Sequence, residues 1–436
     1  MLTKKEYFFI GILLIAILAI SPFYWWKERS ANQSTLPRVV LTATPKDIFF
    51  QENQFELSYY DQFQNLYLDQ IPTAVRIRGN TSAFLEKKHY GLTLPRAVAI
   101  AGLPKSKNWL LIASHLDMTF MRNTLSYDLY AAFSPGNRVP RTAYTTLYFG
   151  EAYHGLYVLT QRVDARSLGL ERRDPFAVLY KEPPINRRVE EHEEQYAGFR
   201  NYILKHSRFD VYSQVEREKI ADKSYFNQRY PKLEKENRAN EIYELTDYIF
   251  NTSDSIFTSE KNGIQQIFDL DNLIDWQLLL LISNNGDGVV KNFYLYRINE
   301  SGKYKICPWD YDHGYGRDGD AEPRAQTAVL DCTRLKLFER LMQLNPVGYN
   351  QRLRDKFLAL KAKGTLTTDQ LFARMDQIAE QIRPAVLANQ ARWPLGEDHP
   401  FLKGADFDSE VQRMKDWITR QLPMVEAFLV EALQQQ

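Results

Sequence analysis

The sequence predicts a protein of the α+β class, with a β-rich part, a mainly helical part and a transmembrane helix at its N-terminus. Three observations support this prediction. Runs in which polar and apolar residues alternate are concentrated in residues 38–184, whereas from residue 261 onward the apolar residues recur at helical spacing. Residues 7–26 contain no charged residue. The length of 436 residues allows two or three domains, or one two-lobed domain.

The composition excludes two classes of protein. A formal net charge of +1 is unlike that of a nucleic-acid-binding protein, which is normally markedly basic, so we expect no nucleic-acid partner. The two cysteines, Cys307 and Cys332, are too few for a disulfide scaffold and leave open only whether they pair with each other. The sequence does not define the oligomeric state.

Residues 7–26 are predicted to form a membrane anchor between a short tail, residues 1–6, and a tether, residues 27–37. Twenty uncharged residues are about the length that spans a bilayer, and Trp25 and Trp26 supply an aromatic interface belt. A cleaved signal peptide is the alternative, but no small-x-small cleavage site precedes these bulky residues. Lysines before the span favour a cytosolic N-terminus, which places the large domain outside the cytosol.

The β-rich part, residues 38–184, carries the first set of predicted elements. Val75–Arg78 alternates as a strand and ends in a Gly-Asn-Thr-Ser turn. Thr119–Phe133 has helical spacing, and Asp117 or Thr119 can cap it. Two strands joined at Gly150-Glu151 are predicted to form a hairpin. Residues 178–181 are expected to add one more short strand to this part.

Residues 185–260 are dense in charges of both signs, which is typical of solvated helices rather than of a core. We expect a helical insertion there, and the same surface could instead recognise a partner. Residues 261–436 then return to apolar helical periodicity, with breaks at Gly364 and at residues 394–396. The first of these helices, Ile267–Ile282, is predicted to be buried and leads directly into Asn284–Asp287.

The stretch from Asn284 to Gly316 carries the candidate chemistry. Two strand-like runs, Phe293–Ile298 and Lys303–Ile306, flank an Asn-Glu-Ser-Gly break. That break suits a type I turn in which Gly302 takes a positive φ as a bulge. The turn would pair residues whose numbers sum to 602, so that Asn292 faces Asp310 at the open end of the hairpin.

This pairing would bring Asp287, Asn292 and Asp310 together, with Asp312 close by. Carboxylate and amide oxygens of this kind suit Mg²⁺, which takes one or two carboxylates together with substrate phosphate oxygens and water. Protein kinases have the same serial order of base Asp, four residues, Asn, hairpin and metal-binding Asp, although neither the HRD nor the DFG motif is present here. A hairpin with a solvated acidic rim is the alternative interpretation.

The same stretch, NNGDG…KNFYLYR…GKYKICPWDYDHGYG, resembles the core signature of the spore-coat protein H (CotH) kinase family. Further segments extend the resemblance over most of residues 36–430, weakest across 185–260: VRIRGNTS, KKHYGLTL, NWLLIASHLDMTFMRNTLSYDL, VPRTAYTTLYFGEAYHGLYVLTQRVD and FDSEVQRMKDWITRQLP. The resemblance implies an atypical, secretory-type protein-kinase-like domain of two lobes. Residues 38–184 would be the nucleotide-binding lobe, and residues 261–436 the catalytic lobe with the metal site.

The resemblance also favours phosphate-binding roles in the first lobe. The turn at residues 79–82 would direct Asn80 and Ser82 at a phosphate, with Arg78 adding charge. Lys88, chosen narrowly over Lys87, would occupy the place of the kinase lysine. The chain departs from the family pattern at Gln161-Arg162, where a glutamate is common.

Arg122 is a second candidate for a phosphate contact, because it lies in the first turn of a predicted helix, where the helix N-terminus favours anions. An ion pair with a surface carboxylate is an equally good interpretation of this arginine.

The sequence thus predicts a membrane-anchored kinase that uses ATP and Mg²⁺ (or Mn²⁺) to phosphorylate a Ser or Thr hydroxyl of a protein. Asp287 would orient or deprotonate the hydroxyl, Asn292 and Asp310 would hold the metal, and Asp312 could be a second ligand. Two alternatives stay open. One is a metal-dependent phosphohydrolase that uses Asp310, Asp312 and His313. The other is a pseudokinase-like envelope scaffold without turnover, which the Gln161 departure favours.

Overall fold

The computed structural model describes residues 36–79, 81–83, 85–183, 228–317, 329–394, 402 and 404–432. The predicted membrane anchor at residues 7–26, Asn80 and most of the charged insertion lie outside these residues. Within the described part of the chain, no helix is both long enough and apolar enough to cross a membrane. The anchor therefore stays a prediction, whereas the α+β class is confirmed by the elements described below.

The first β structure is a closed barrel of seven strands in the order β1-β2-β3-β4-β5-β7-β6. A parallel pairing of β1 with β6, in which Arg38 lies opposite Thr146, closes the barrel, so that its sheet has no free edge. Apolar side chains such as Val75 and Trp109 fill its interior. The strands are β1 (Arg38–Leu41), β2 (Asn53–Tyr60), β3 (Leu66–Arg78), β4 (His89–Val98), β5 (Ser106–Ile112), β6 (Thr142–Phe149) and β7 (Ala152–Gln161).

The second β structure is a four-stranded sheet in the order β11-β10-β8-β9. Its strands are β8 (Val178–Lys181), β9 (Gln228–Tyr230), β10 (Phe293–Arg297) and β11 (Lys305–Pro308). This sheet differs from the predicted organisation in two places. Strand β8, expected in the first lobe, pairs with β10. The insertion predicted to be helical does contain helices, at Ala239–Asn251 and Asp254–Phe257, but it also contributes β9 as the partner of β8. Such long-range pairings leave no local sequence pattern.

Ten α-helices occur in the described residues: α1 (Arg122–Phe133), α2 (Ala239–Asn251), α3 (Asp254–Phe257), α4 (Ile264–Ile267), α5 (Leu270–Ser283), α6 (Gly286–Val290), α7 (Lys336–Leu344), α8 (Tyr349–Ala362), α9 (Thr368–Arg392) and α10 (Phe407–Ala427). Helix α5 is buried in the main core, as predicted. Gly364, with φ at +81°, separates α8 from α9 at the predicted break. Cys307 and Cys332 are both buried and free, so they do not form a disulfide.

Helix α9 connects the helical part to the barrel. Its Asn389 side chain accepts a hydrogen bond from the backbone N–H of Leu156 in β7 at 3.1 Å. The indole of Trp393 donates to the backbone carbonyl of His154 in the same strand. These contacts fix the barrel against the helices that carry the candidate site.

Candidate active site

The connection between α5 and α6 places Asp287. Helix α5 ends because Asn284 adopts a left-handed conformation, with φ at 50°. The side chain of Asn285 then caps α6 by accepting a hydrogen bond from Gly288 N at 3.0 Å. A β-carbon on Gly288 would lie 2.9 Å from a methyl of Leu280 and 2.9 Å from Asn285 Nδ2, so a larger residue would displace the capping side chain. Asp287 is thereby fixed in the first turn of α6.

The hairpin that carries Asn292 and Asp310 has a register one residue different from the predicted one. Phe293 pairs with Pro308, so opposed residues sum to 601 rather than 602. The turn closes through a hydrogen bond from Gly302 N to Asn299 O at 3.1 Å. Gly302 does not take a positive φ, so the predicted bulge is absent and the prediction was wrong at this point. The residue that faces Asn292 is Trp309, whose N–H donates to Asn292 O at 3.0 Å.

Asp287, Asn292 and Asp310 nevertheless come together at the mouth of the hairpin, where Asn292 and Asp310 both have left-handed backbones, with φ at 62° and 59°. The Asn292 Nδ2 amide donates to Asp287 Oδ2 at 3.3 Å and to the backbone carbonyl of Asp310 at 3.2 Å. Asn and Asp tolerate this conformation better than most residues. The two unusual backbones thus compensate for the shifted register.

A lysine and a histidine flank Asp287. Lys291 Nζ lies 3.0 Å and His313 Nε2 3.6 Å from Asp287 Oδ2. The closest approach of both groups, and the hydrogen bond from Asn292, is to Oδ2. Oδ1 accepts no hydrogen bond from a described residue and the side chain is about a quarter exposed, so this oxygen is open to an incoming group.

Asp310 and Asp312 are half-buried, and neither carboxylate makes an ion pair or hydrogen bond with another side chain in the described part of the protein. Burial raises the pKa of Asp310, against the opposing charges of Lys181 and Arg78. Burial and, after it, the negative charge of Asp310 together raise the pKa of Asp312 to about 8. The pair concentrates negative charge that nearby protein cations only partly balance.

This donor set fits one hard divalent cation. No group of three or more His, Cys, Asp or Glu side chains that could hold a metal occurs in the residues the structure describes, so there is no complete protein cage. Mg²⁺ does not need such a cage, because it binds through one or two carboxylates and completes its shell with phosphate oxygens and water. Asn292 Oδ1, which has no hydrogen-bond partner among the described residues, and the unpaired carboxylates of Asp310 and Asp312 supply oxygens of this kind.

Arg78 lies beside this acidic group. Its guanidinium is 5.5 Å from the ring centre of Trp309, which directly precedes Asp310. Burial lowers the pKa of Arg78, while Tyr294 and Asp310 raise it. Lys181, at the end of β8, is a second cation close enough to affect Asp310, and the sequence analysis did not identify it.

The predicted phosphate turn follows Arg78 directly. Gly79 has φ at +109°, and a β-carbon there would lie 2.2 Å from Ser82 Oγ, so the turn requires glycine. Lys88 reaches this turn and donates to Ala83 O at 2.8 Å. Lys87, in contrast, is fully buried and donates to Ala113 O at 2.8 Å and to Leu156 O.

Arg122 is buried behind the site rather than exposed in it. It forms an ion pair with Asp117, and its Nε donates to the backbone carbonyl of Gly314 at 3.0 Å. Helix α1 begins at Arg122, three residues later than predicted. The predicted capping groups still act, since Arg122 N donates to Asp117 Oδ2 at 3.2 Å and Met121 N to Thr119 Oγ1 at 3.3 Å.

Two residues that sequence reasoning did not assign to the site, Asn123 and Tyr127, also contact the loop that carries Asp310. Their four-residue spacing puts them on one face of a helix otherwise rich in apolar residues. A pair of polar residues at this spacing on a mostly buried helix was the sequence feature that could have identified them.

The chain is similar to one described protein family and to individual known proteins. A family model described as CotH kinase protein matches residues 75–424. Inner spore coat protein H of Bacillus subtilis (strain 168) is 23% identical over 369 residues, which cover 82% of this chain and 89% of that protein. A chain of the Shewanella oneidensis MR-1 toxin–antitoxin complex of HipA, HipB and operator DNA is 14% identical, with a TM-score of 0.30, over 83% of this chain and 66% of that one.

Proposed function

The chain belongs to the CotH kinase protein family, as its sequence resemblance predicted, and from this membership and the site geometry we propose that it is an ATP-dependent protein kinase. It would transfer the γ-phosphoryl group to a Ser or Thr hydroxyl of a protein substrate. The observation that carries the proposal is the contact of Asn292 Nδ2 with both the Asp287 carboxylate and the Asp310 carbonyl. This contact supports separate acceptor and metal sides within one site.

Asp287 acts on the acceptor in this proposal. Lys291, His313 and Asn292 hold its Oδ2, which fixes the orientation of the carboxylate. The free Oδ1 is left to hold the acceptor hydroxyl and take its proton as the oxygen attacks phosphorus. Positioning of this kind accounts for much of phosphoryl-transfer catalysis, so few residues are needed.

The metal and phosphate side uses the remaining oxygens and the cations. Asn292 Oδ1 and the carboxylate of Asp310 would hold Mg²⁺ or Mn²⁺, with Asp312 as a further ligand. When bound, the cation neutralises charge on the phosphates of ATP. Arg78 and Lys181 lie where they would offset the rest of that charge. Asn80 and Ser82, in the turn at residues 79–83, and Lys88, which reaches this turn, would bind phosphate oxygens of the nucleotide.

The cellular location in the proposal is the cell envelope. The relative from Bacillus subtilis is described as an inner spore coat protein. In this chain the uncharged segment at residues 7–26 would anchor the protein in a membrane, with the kinase domain outside the cytosol.

One observation favours the pseudokinase-like scaffold as a second candidate. Lys87 and Lys88 both donate to backbone carbonyls, and neither forms an ion pair with a described carboxylate. Gln161, where the family commonly has glutamate, is buried, with its backbone N–H bound to Arg141 O at 2.8 Å. The lysine–glutamate pair of active protein kinases is therefore not formed at these positions. The phosphohydrolase alternative gains no such support.

Incubation of the full chain with γ-labelled ATP, divalent metal and candidate envelope proteins separates these functions. The kinase predicts phosphoserine or phosphothreonine in the products by mass spectrometry, and no transfer with chelator. ATP binding without transfer would instead establish the scaffold. Release of phosphate from phosphate esters without ATP would establish the hydrolase.

A further inference from the structure

The loop that carries Asp310 is attached to helix α1 through two consecutive backbone amides. Asp310 N donates to the hydroxyl of Tyr127 at 3.1 Å. Tyr311 N donates to Asn123 Oδ1 at 2.6 Å. These bonds join positions more than 180 residues apart in the sequence.

The two side chains also bind each other. The Tyr127 hydroxyl donates its proton to Asn123 Oδ1 at 3.2 Å. Because the same hydroxyl accepts from Asp310 N, its one donor and its acceptor both have defined partners.

The two hydrogen-bonded amides, of Asp310 and Tyr311, belong to a turn whose backbone conformation is unfavourable. Asp310 has φ at +59°, a conformation that a non-glycine residue keeps only where its surroundings enforce it. Neighbouring residues of α1 fix the rest of the loop. Arg122 Nε donates to Gly314 O at 3.0 Å, and the hydroxyls of Ser126 and Tyr315 lie 3.1 Å apart. One face of α1 is thus the support on which the loop is built.

We propose that Tyr127 and Asn123 are positioning residues, which hold the left-handed turn at Asp310 so that its carboxylate faces the metal side of the site. The inference rests on the proposed function, because it presumes that Asp310 is a ligand. Neither residue touches the reacting atoms. They act through the backbone of Asp310 and Tyr311.

A Mn²⁺ titration of the full chain, followed by electron paramagnetic resonance of the free ion, tests the inference. It is made with and without adenylyl imidodiphosphate, a non-hydrolysable ATP analogue. Tyr127→Phe keeps the ring and removes only the hydroxyl, so we expect about tenfold weaker Mn²⁺ binding, the loss that corresponds to one hydrogen bond. Tyr349→Phe is the matched control, because it removes a buried hydroxyl that donates to Gln277 at 2.8 Å in the helical core.

A double-mutant cycle adds a readout that a merely structural role would not move. If the two side chains act through one network, Tyr127→Phe and Asn123→Ala together should weaken Mn²⁺ binding by clearly less than the product of their single effects. Independent contributions, or a Tyr349→Phe loss as large as that of Tyr127→Phe, would overturn the positioning role.

Hydrogen exchange on the unmutated chain tests the inference even if the variants fail to fold. The amides of Asp310 and Tyr311 should exchange slowly although they lie in a loop, and exchange at the unprotected rate would overturn the proposal. Mn²⁺ binding by Tyr127→Phe equal to that of the unmutated chain overturns this inference alone. Absence of Mn²⁺ binding by the unmutated chain overturns it together with the metal site of the proposed function.

Discussion

Asn292 lies between α6 and β10, and its Nδ2 amide is 3.3 Å from the Asp287 carboxylate. Because its second contact is the Asp310 carbonyl at 3.2 Å, both N–H groups are used within the site. The amide oxygen is left for a different partner. Asn292 therefore lies between the proposed acceptor side at Asp287 and the proposed metal side at Asp310, and the two roles predict different mutant behaviour.

Asp310→Ala should abolish divalent-dependent binding of ATP while the fold persists. The carboxylate makes no ion pair with a described side chain, so its removal should cost the fold only the strain of a left-handed alanine, about 1–2 kcal/mol, whereas the proposed metal side loses a charged ligand. Calorimetry of ATP binding with Mg²⁺ or Mn²⁺, beside circular dichroism, measures both. Asp271→Ala is the control, since that exposed side chain pairs only with Arg352 among the described residues. Unchanged metal-dependent affinity in folded Asp310→Ala would show that the residue is not a ligand.

Asp287→Asn should leave Mg–ATP binding nearly unchanged and slow the transfer step. Asparagine keeps an oxygen that can accept from Asn292, but its amide cannot take the proton of the acceptor. General-base loss typically lowers a rate on the order of 10²–10⁴-fold. Single-turnover transfer and calorimetric ATP affinity, measured on one preparation, give the comparison. Equal binding losses in Asp287→Asn and Asp310→Ala would make both residues metal ligands, and full transfer activity would remove Asp287 from the site.

The sequence carried enough information to find the hairpin and the residues at its mouth. Order and spacing around Asn292 suggested convergence with Asp310, and the two do meet. The predicted reason was wrong, because the pairing sum is 601 rather than 602. A one-residue slip normally turns a side chain to the other face of a sheet. Here the left-handed backbones of Asn292 and Asp310 redirect the chain, and such conformations depend on tertiary contacts that no local pattern records.

The features that the sequence does not predict depend on contacts between residues far apart in the chain. The pairing of β8 with β10 joins segments more than 110 residues apart. The sequence suggests a phosphate contact for Arg122 and a helix cap for Asp117, but the two side chains form an ion pair with each other. Whether an arginine at a helix N-terminus binds a ligand or a neighbouring carboxylate depends on its burial, which the sequence does not reveal. The support that Tyr127 gives to Asp310 is another contact of this kind.

A reporter fused after Gln436 should be active only outside the cytosol, with the full-length protein retained in membranes. The physical reason is the run of uncharged residues at 7–26, preceded by Lys4 and Lys5. Fractionation and N-terminal sequencing of the mature protein provide the measurement. A soluble protein that begins beyond residue 26 would replace the anchor with a cleaved signal peptide.

Glu410→Gln should destabilise the protein at neutral pH and much less in acid. Glu410 and Arg317 form a buried ion pair. Burial alone would raise the pKa of Glu410, but hydrogen bonds and charge from Arg317 outweigh it, and the pKa is lowered. A lowered pKa in the folded state contributes stability that is present above the unfolded value, about 4.3, and is lost as the pH falls below it.

We therefore expect Glu410→Gln to cost about 3–5 kcal/mol of unfolding free energy at pH 7, with a smaller difference from the unmutated chain at about pH 3.5. Urea unfolding at both pH values measures this. Glu426→Gln, which removes an exposed pair with Lys361, should cost about 0–1 kcal/mol. A Glu410 effect that does not change with pH would rule out the ion pair as its source.

Two glycines, one in the β6–β7 turn and one within β7, distinguish backbone strain from a contact between the barrel and α9. Gly150, in the β6–β7 turn, has φ at +57°, and a β-carbon there would meet nothing within 4 Å. Gly155, in β7, has φ at +140°, and a β-carbon there would lie 2.7 Å from Asn389 Oδ1 and 3.1 Å from Trp393 Nε1.

Gly150→Ala should cost about 1–2 kcal/mol, the strain of a left-handed alanine. Gly155→Ala should cost more, because it also displaces Asn389 from the Leu156 amide and leaves a buried donor without its partner, at about 1–3 kcal/mol further. Thermal unfolding of both variants gives the difference, and Asn389→Ala gives the share that belongs to the hydrogen bond. Equal losses for the two glycine variants would mean that the contact between β7 and α9 adds nothing to stability.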